Sequence, residues 1–479
     1  MDVSRQRHAD AELPAGTHAS GAHASGAPAS GSPGPRRSWS ASPRGRRRRL
    51  PVAVATALVA VAATTAATGG AARTAPAVRS AAAQAPAAQA PAAHAADLQE
   101  VMFVGNNWDG TADVIKSSGS FDKLGRVDVI PDKEERLKEI HADPVKLAYF
   151  MAIRNGPGEG HDQFVDDMYS TPDGTAMVVS RPSFADVVSV DVETGKINWR
   201  FPVSGYRSDH MAVSPDGKRV AVSASTSNTV HVLDIETGKE AGSFKTGDKP
   251  HENVFTDGGK HIWNMSIGDV QTATDDPWLD WTKGDRKITV VDAETFEQVK
   301  VIDMRERLDA FGRKDFSDAV RPVAFTPDES KLYFQVSFFN GFFEYDVASD
   351  KITREKVLPK NPDTSEDRTT WVNDSRHHGM SMSPGGDKLC IAGTMDDYAT
   401  VVDRESLKEG PLIAASKPYW ATVSGDGKSC VISESGSDRV TAIDFDTGEK
   451  TASVSVGDHP QRVRVAHVPA DWTSPAARG

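Results

Sequence analysis

The chain is predicted to be all-β, a seven-bladed β-propeller of four-stranded antiparallel blades, and three observations carry that prediction. A turn phrase recurs as Thr171-Pro172-Asp173-Gly174, Ser214-Pro215-Asp216-Gly217, Thr256-Asp257-Gly258-Gly259, Thr326-Pro327-Asp328-Glu329, Ser383-Pro384-Gly385-Gly386 and Ser424-Gly425-Asp426-Gly427. These lie about 43, 42, 70, 57 and 41 residues apart, and a period in the forties marks propeller blades. A second marker keeps the same phase: an apolar alternating run ending in Asp, as in Val188-Ser189-Val190-Asp191, Val230-His231-Val232-Leu233-Asp234, Ile288-Thr289-Val290-Val291-Asp292, Phe343-Glu344-Tyr345-Asp346, Thr400-Val401-Val402-Asp403 and Ala442-Ile443-Asp444. The third observation is that the two ends complement each other. Val101–Val104, Asp113–Ile115 and Arg126–Ile130 form three strands that lack an innermost partner, and the strand of residues 462–468, introduced by His459-Pro460-Gln461, lacks a blade. Pairing them closes the ring and removes both sheet edges.

Within each repeat the order is strand, Pro-Asp-Gly turn, strand, loop, strand, Asp-x-x-Thr-Gly turn, strand. Period-2 β-branched runs closed by Asp and Gly are strands entering tight turns, because Asp bonds nearby backbone and Gly accepts positive φ. This consensus resembles the YVTN repeat of YncE-like bacterial seven-bladed propellers over residues 98–468. The resemblance implies an exported propeller, with functions in the family that range from surface scaffolds and ligand binding to a few enzymes. Fold alone does not choose among them.

Residues 1–72 read as a basic leader and export signal, with Arg46–Arg49 preceding the apolar run Leu50–Ala67. Residues 73–97, rich in Ala and Pro, read as a disordered linker, and the start of the mature chain is expected between Ala71 and Asp97. Residues 469–479 are a tail. With residues 1–96 set aside, 44 basic face 64 acidic residues, a net charge of about −20. An acidic domain without a basic stripe is a poor partner for nucleic acid. The expected partners are a small molecule or a cell-envelope protein or peptide, with the mature chain a monomer lacking a stable membrane span and residing in the cell envelope or outside the cell.

The two cysteines, Cys390 and Cys430, fall in the second strands of neighbouring blades. Packed sheets stand about 10 Å apart, more than a disulfide spans, so two buried free thiols are expected. No Cys-x-x-Cys-His is present, so covalent haem attachment is not indicated.

Meander topology places the short Pro-Asp-Gly and Thr-Gly turns at one end of every blade and the long insertions, residues 131–163, 268–285, 303–318 and 359–376, at the other. The insertion face is therefore the expected functional face. Short helices are expected at Pro131–Ile140 and Met304–Phe311, and Trp278, Trp281 and Trp371 lie within the insertions. The same face receives the start of each innermost strand, and those starts are polar: Gln461 and Arg462; Asp166 and Asp167, near His161 and Asp162; Asp209 and His210; His251 and Glu252; Arg321; His377 and His378; Tyr419 and Trp420; and His459. Imidazoles with carboxylates bind first-row transition metals or serve as acid and base. The expected metal set is His210, His251, His378 and His459, with His210 the least secure. The expected ligand-binding set is His161, Asp209, Glu252, Arg321, His377, Tyr419, Trp420 and Arg462.

The bland alternative is that junction histidines merely bond backbone or a neighbouring turn. Three function classes follow from the site: a binding protein; a metal-dependent propeller enzyme such as a lyase, lactonase or oxidoreductase; and a haem carrier similar to the eight-bladed cytochrome d1 propeller, with His378 as an axial ligand.

Overall fold

Seven four-stranded antiparallel sheets form the ring in the computed structural model, which describes residues 97–270, 277–371 and 375–474. The expectations for the leader and most of the linker lie outside these residues. Blade 1 is composite: Leu98–Asn106, Thr111–Lys116 and Lys123–Asp128 are joined by Pro460–Pro469, which pairs antiparallel with Leu98–Asn106 in the register Val101↔Ala466, Met102↔Val465 and Phe103↔Arg464. The ring thus closes as expected. Blades 2 to 7 follow in order, each from inner to outer strand.

Alternation along the strands buries both faces of the inner strands, because every blade packs against two neighbours. The second strand of blade 2, Ala176–Arg181, is buried at all positions, whereas its outermost strand, Ile197–Pro202, is only partly covered. The core consists of apolar seams between blades, such as Val178, Val187, Val220, Val222 and Leu233 between blades 2 and 3.

Turns on the plain face are locked by side chains. Asp191 accepts bonds from the backbone N–H of Glu193 and Thr194 and from the Thr194 hydroxyl, and Asp234, Asp292 and Asp444 repeat the pattern. In the other turn the Thr171 hydroxyl donates to Asp173 at 2.6 Å and Gly174 adopts φ +69°, which a side chain would strain.

The cysteine expectation is overturned. Cys390 and Cys430 form a disulfide with a Cα–Cα distance of 5.9 Å. They share their seam with Ala392, Ala399 and Ala421, and small side chains let the wedge-shaped blades approach far closer near the axis than the usual sheet spacing. A disulfide fits an oxidising compartment.

On the insertion face, residues 129–167 fold into two helices, α1 (Lys133–Ala142) and α2 (Pro144–Asn155). Asp143 caps α2 by accepting from the N–H of Val145 and Lys146, with Pro144 in its first turn. A third helix, α3 (Met304–Phe311), is capped by Asp303. The expected helices are α1 and α3; α2 was not expected. Trp371 is tied down within its own insertion by a bond from Nε1 to the Ser365 carbonyl and by the Arg376 guanidinium 5.0 Å from its ring. Trp281 is exposed, and the Trp278 side chain lies outside the described residues. Among the described residues no helix is long and apolar enough to cross a membrane.

Candidate functional site at the channel mouth

The start of every innermost strand carries one irregularity in common, in which two residues oppose a single residue of the second strand. In blade 3, Ser208 pairs with Ala224 and Met211 with Val222, so Asp209 and His210 together oppose Ser223. The same reading places His251 and Glu252 opposite Met265, Arg321 and Pro322 opposite Gln335, and Gln461 and Arg462 opposite Gly105. Asp166 and Asp167 both bond to Ser180, and His378 and Gly379 both meet Ala392. In blade 7 the shift falls between Pro418 and Trp420, at Tyr419. Such bulges re-aim side chains and sit beside functional sites in many sheets. The freed carbonyls are held by the preceding blade: Ser180 donates to the Asp209 carbonyl at 2.7 Å, Ser223 to that of His251 at 2.9 Å, and Ser433 to that of Gln461 at 2.5 Å. Gly379 fits where a Cβ would come within 2.7 Å of the Ala392 side chain and 3.0 Å of the Trp420 backbone, which lets His378 enter the ring.

The bulge residues converge on a small cavity of about 30 Å³ lined by Asp166, Asp209, His210, His251, Arg321, Tyr419 and Gln461, together with Gln163, Arg207, Pro157, Ile267 and Val270. His210 lies at its centre. Its Nδ1 is 2.7 Å from Glu252 Oε2, and its Nε2 is 3.9 Å from Asp166 Oδ2 and 3.8 Å from Asp209 Oδ1. The ring centroid of His251 is 3.7 Å from that of His210, and His378 is 5.8 Å beyond His251 and 4.4 Å from Tyr419. Arg462 donates through Nη2 to His210 while its guanidinium lies 3.8 Å from the Trp420 ring. Arg464 grips Asp167 with two bonds of 2.8 and 2.7 Å.

Burial dominates the electrostatics. It holds His210, His251 and His378 well below the ordinary imidazole range, with Arg462 and Arg321 the cationic neighbours that reinforce the effect, so all three rings are neutral near pH 7. It pushes Asp166 and Glu252 up to about 7 and raises Asp209 as well.

Many polar atoms here find no protein partner among the described residues. They are Asp166 Oδ2, Asp209 Oδ1, His251 Nδ1, both ring nitrogens of His378, Trp420 Nε1, and Arg462 Nε and Nη1. Each such buried group costs about 1–3 kcal/mol.

Of the ligand-binding residues expected from sequence, Asp209, Glu252, Arg321, Tyr419, Trp420 and Arg462 are brought together. His377 is not part of this group; it bonds Asp396 at 2.9 Å beside Arg376, an ion cluster anchoring the 359–376 insertion. His161 is exposed and stacks on Trp108. Of the metal residues, His210 and His251 stand with Asp209, their ligand atoms within 4.8 Å of one another, and this buried trio could hold a metal ion. His210, the least secure of the four, is central. His459 stacks on Trp108 at 3.7 Å instead, with burial lowering its pKa to about 3. Sequence reasoning missed Arg207 and Arg464, which lie just outside the strand starts and carry no repeat signal.

No family model matches the chain, and no curated protein matches it. Among solved structures it is similar to "Kuenenia stuttgartiensis Hydrazine Synthase", with 20% identity over 59% of this chain and 77% of that chain and a TM-score of 0.45. That degree of likeness bears on neither activity nor ligand. The propeller assignment rests on the seven sheets themselves.

Proposed function

We propose that the protein is an exported propeller of the YncE-like kind that binds a small polar molecule at its channel mouth. One observation carries this reading: unpartnered buried donors and acceptors from blades 1, 2, 3, 4, 6 and 7 cluster around the mouth, and those of Asp166, Asp209 and His251 belong to residues that line its cavity. A structural network would satisfy its members internally; these groups point to a ligand that completes them. Export is supported by the disulfide and by the basic, then apolar, leader. Native mass spectrometry of the protein isolated under mild conditions should show a bound small molecule, absent from Arg462→Met. A bare mass in both would count against the reading.

The Asp209, His210 and His251 trio favours a second reading, a first-row divalent metal. The Nδ1 contact of His210 with Glu252 is the usual orienting bond of a metal-ligating histidine, and the rings are neutral as ligation requires. Against it stands Arg462, whose guanidinium occupies the His210 Nε2 side that a cation would take. Elemental analysis with His251→Ala as control tests this reading, and stoichiometric metal lost on substitution would favour it. The enzyme alternatives depend on that metal. The haem alternative drew on an eight-bladed ring, and this ring has seven blades.

A further inference from the structure

A second constellation of reactive side chains lies away from the mouth, between blades 2 and 3. Ser204 stands on the link from the outer strand of blade 2, Ile197–Pro202, to the inner strand of blade 3, Ser208–Val213. Its Oγ is 2.7 Å from Nε2 of His231, on the third strand of blade 3, and Nδ1 of the same ring is 2.8 Å from Oε1 of Glu240, on the outer strand. A hydroxyl, an imidazole and a carboxylate are thus joined in series through the two nitrogens of one ring. A serine nucleophile, its general base and the group that orients the base are arranged in this order.

The backbone settles the tautomer. The Ser204 N–H donates to His231 Nε2 at 3.1 Å, and an amide N–H can only donate, so Nε2 is the bare nitrogen and Nδ1 carries the hydrogen, toward Glu240. Nε2 is therefore able to accept the Ser204 hydroxyl proton. The parts are held from outside as well. Ser227 Oγ lies 2.7 Å from Ser204 Oγ, and the Tyr206 N–H donates to Thr226 Oγ1 at 2.7 Å, which ties the link to the loop before the third strand of blade 3. His231 is 7% exposed and meets the Phe201 ring edge-on at 5.2 Å. Glu240 pairs with Leu233 just past a bulge, since the preceding pair is Val232 with Gly242.

The repeat does not require this set. With the strand markers aligned on their closing Asp, the place of His231 is taken by Val188, Thr289, Phe343, Thr400 and Thr441, and those blades form without an imidazole there. Ser204 is half-buried, so solvent reaches it. Gly205 follows at φ +82°, where a Cβ would come within 2.4 Å of Thr226 Oγ1, and its N–H makes no hydrogen bond among the described residues. The N–H of the residue after the nucleophile is a usual oxyanion donor. One such donor and an exposed carboxylate give modest stabilisation, which suits an ester, whose leaving group departs more readily than an amine.

We infer that Ser204, His231 and Glu240 form a metal-independent site, separate from the mouth, that hydrolyses small carboxylic esters through an acyl-serine. His231 Nε2 takes the hydroxyl proton as Ser204 Oγ attacks the ester carbonyl, the bond from the acyl carbon to the alcohol oxygen breaks, and the alcohol leaves with that proton. Water then attacks the acyl carbon and gives its proton to Nε2, and Ser204 Oγ departs and recovers that proton, releasing the carboxylic acid. Glu240 touches no reacting atom; it is a positioning residue that holds the Nδ1–H and stabilises the imidazolium.

The experiment treats the purified protein with a fluorophosphonate, locates adducts by peptide mass spectrometry, and follows turnover with p-nitrophenyl acetate. An adduct at Ser204 is expected. Ser204→Ala should remove it and lower turnover by about tenfold or more, and His231→Gln should slow labelling by about 100-fold. Glu240→Gln can offer an amide N–H to Nδ1 and hold the other tautomer, so it should slow labelling by about tenfold. Glu240→Asp should restore part of that rate, which a packing role alone would not produce. No adduct at Ser204, or equal turnover by Ser204→Ala and the native protein, would overturn the assignment. Should His231→Gln fail to fold, the adduct and the Ser204→Ala rate decide the matter by themselves.

Discussion

The two faces of the ring use the same residue types to opposite ends. On the plain face, Asp328 is solvated and bonded by the Thr326 hydroxyl at 2.6 Å, with further bonds from Ser330, and these hold its carboxyl down to about 2. On the insertion face, burial pushes Asp166 up to about 7 and one of its oxygens has no partner among the described residues. The plain face is complete in itself: each turn aspartate closes its own turn. The mouth leaves buried polar atoms of Asp166, Asp209 and His251 without partners among the described residues. On the proposed reading, the difference separates residues that serve folding from residues that serve binding.

The comparison is broken most severely by opening the ring. Truncation after Gly457 removes Pro460–Pro469, the inner strand of blade 1, and should abolish the cooperative transition in thermal unfolding. A truncated chain that melts like the intact domain would show that closure is dispensable.

Next in size is a matched pair of buried arginines. Arg181 is satisfied, bonding Asp186 through two contacts of 2.8 Å and Asp132 as well, whereas Arg462 is only partly satisfied. Arg181→Met leaves Asp186 with Arg200 alone and Asp132 with Arg136 alone, and should cost about 3–5 kcal/mol in urea unfolding. Arg462→Met should cost less than about 1 kcal/mol, or stabilise, while abolishing ligand binding. Equal losses would mean that the mouth is as structural as the blades.

The seam between blades 6 and 7 comes third. Replacing Cys390 and Cys430 together with Ala removes a link closing 40 residues and should lower stability by about 2–4 kcal/mol. Ligand affinity should be unchanged in the same variant.

Much of this was legible in the chain. The repeat phrase, the in-phase strand marker and the unpaired ends are local patterns, and they suffice for blade count, closure and the face that carries insertions. The polar strand starts Asp209, His251 and Arg321 were found for the same reason, because the repeat aligns them. What escaped depends on distances that no repeat encodes. The Cys390–Cys430 link needed the narrowing of the ring beside Ala392 and Ala421, and the place of His459 was decided by the Trp108 ring, which lies in a different blade-edge turn. The two-against-one bulges were equally hidden, since a bulge adds a residue without leaving a composition signal.

Acid stability offers a further contrast. His459 titrates at about 6.5 when unfolded but at about 3 in the fold, because burial disfavours its charged form. Between those values the unfolded chain holds a proton that the folded chain lacks, so this contribution is complete above pH 6.5 and is lost as pH falls towards 3, at up to about 1.4 kcal/mol per pH unit. Urea unfolding from pH 7 to 4 should therefore show a shallower decline for His459→Phe than for the native chain. Parallel declines would place the acid sensitivity elsewhere.

The claim at the centre of this account is that the mouth is completed by a ligand, and a crystal structure of the protein as isolated, at a resolution that orders water, tests it most directly. The account predicts a bound organic molecule with a donor at Asp166 Oδ2 or Asp209 Oδ1 and an acceptor at Arg462 Nε or Nη1. A mouth whose polar atoms are satisfied by one another or by water alone would contradict it.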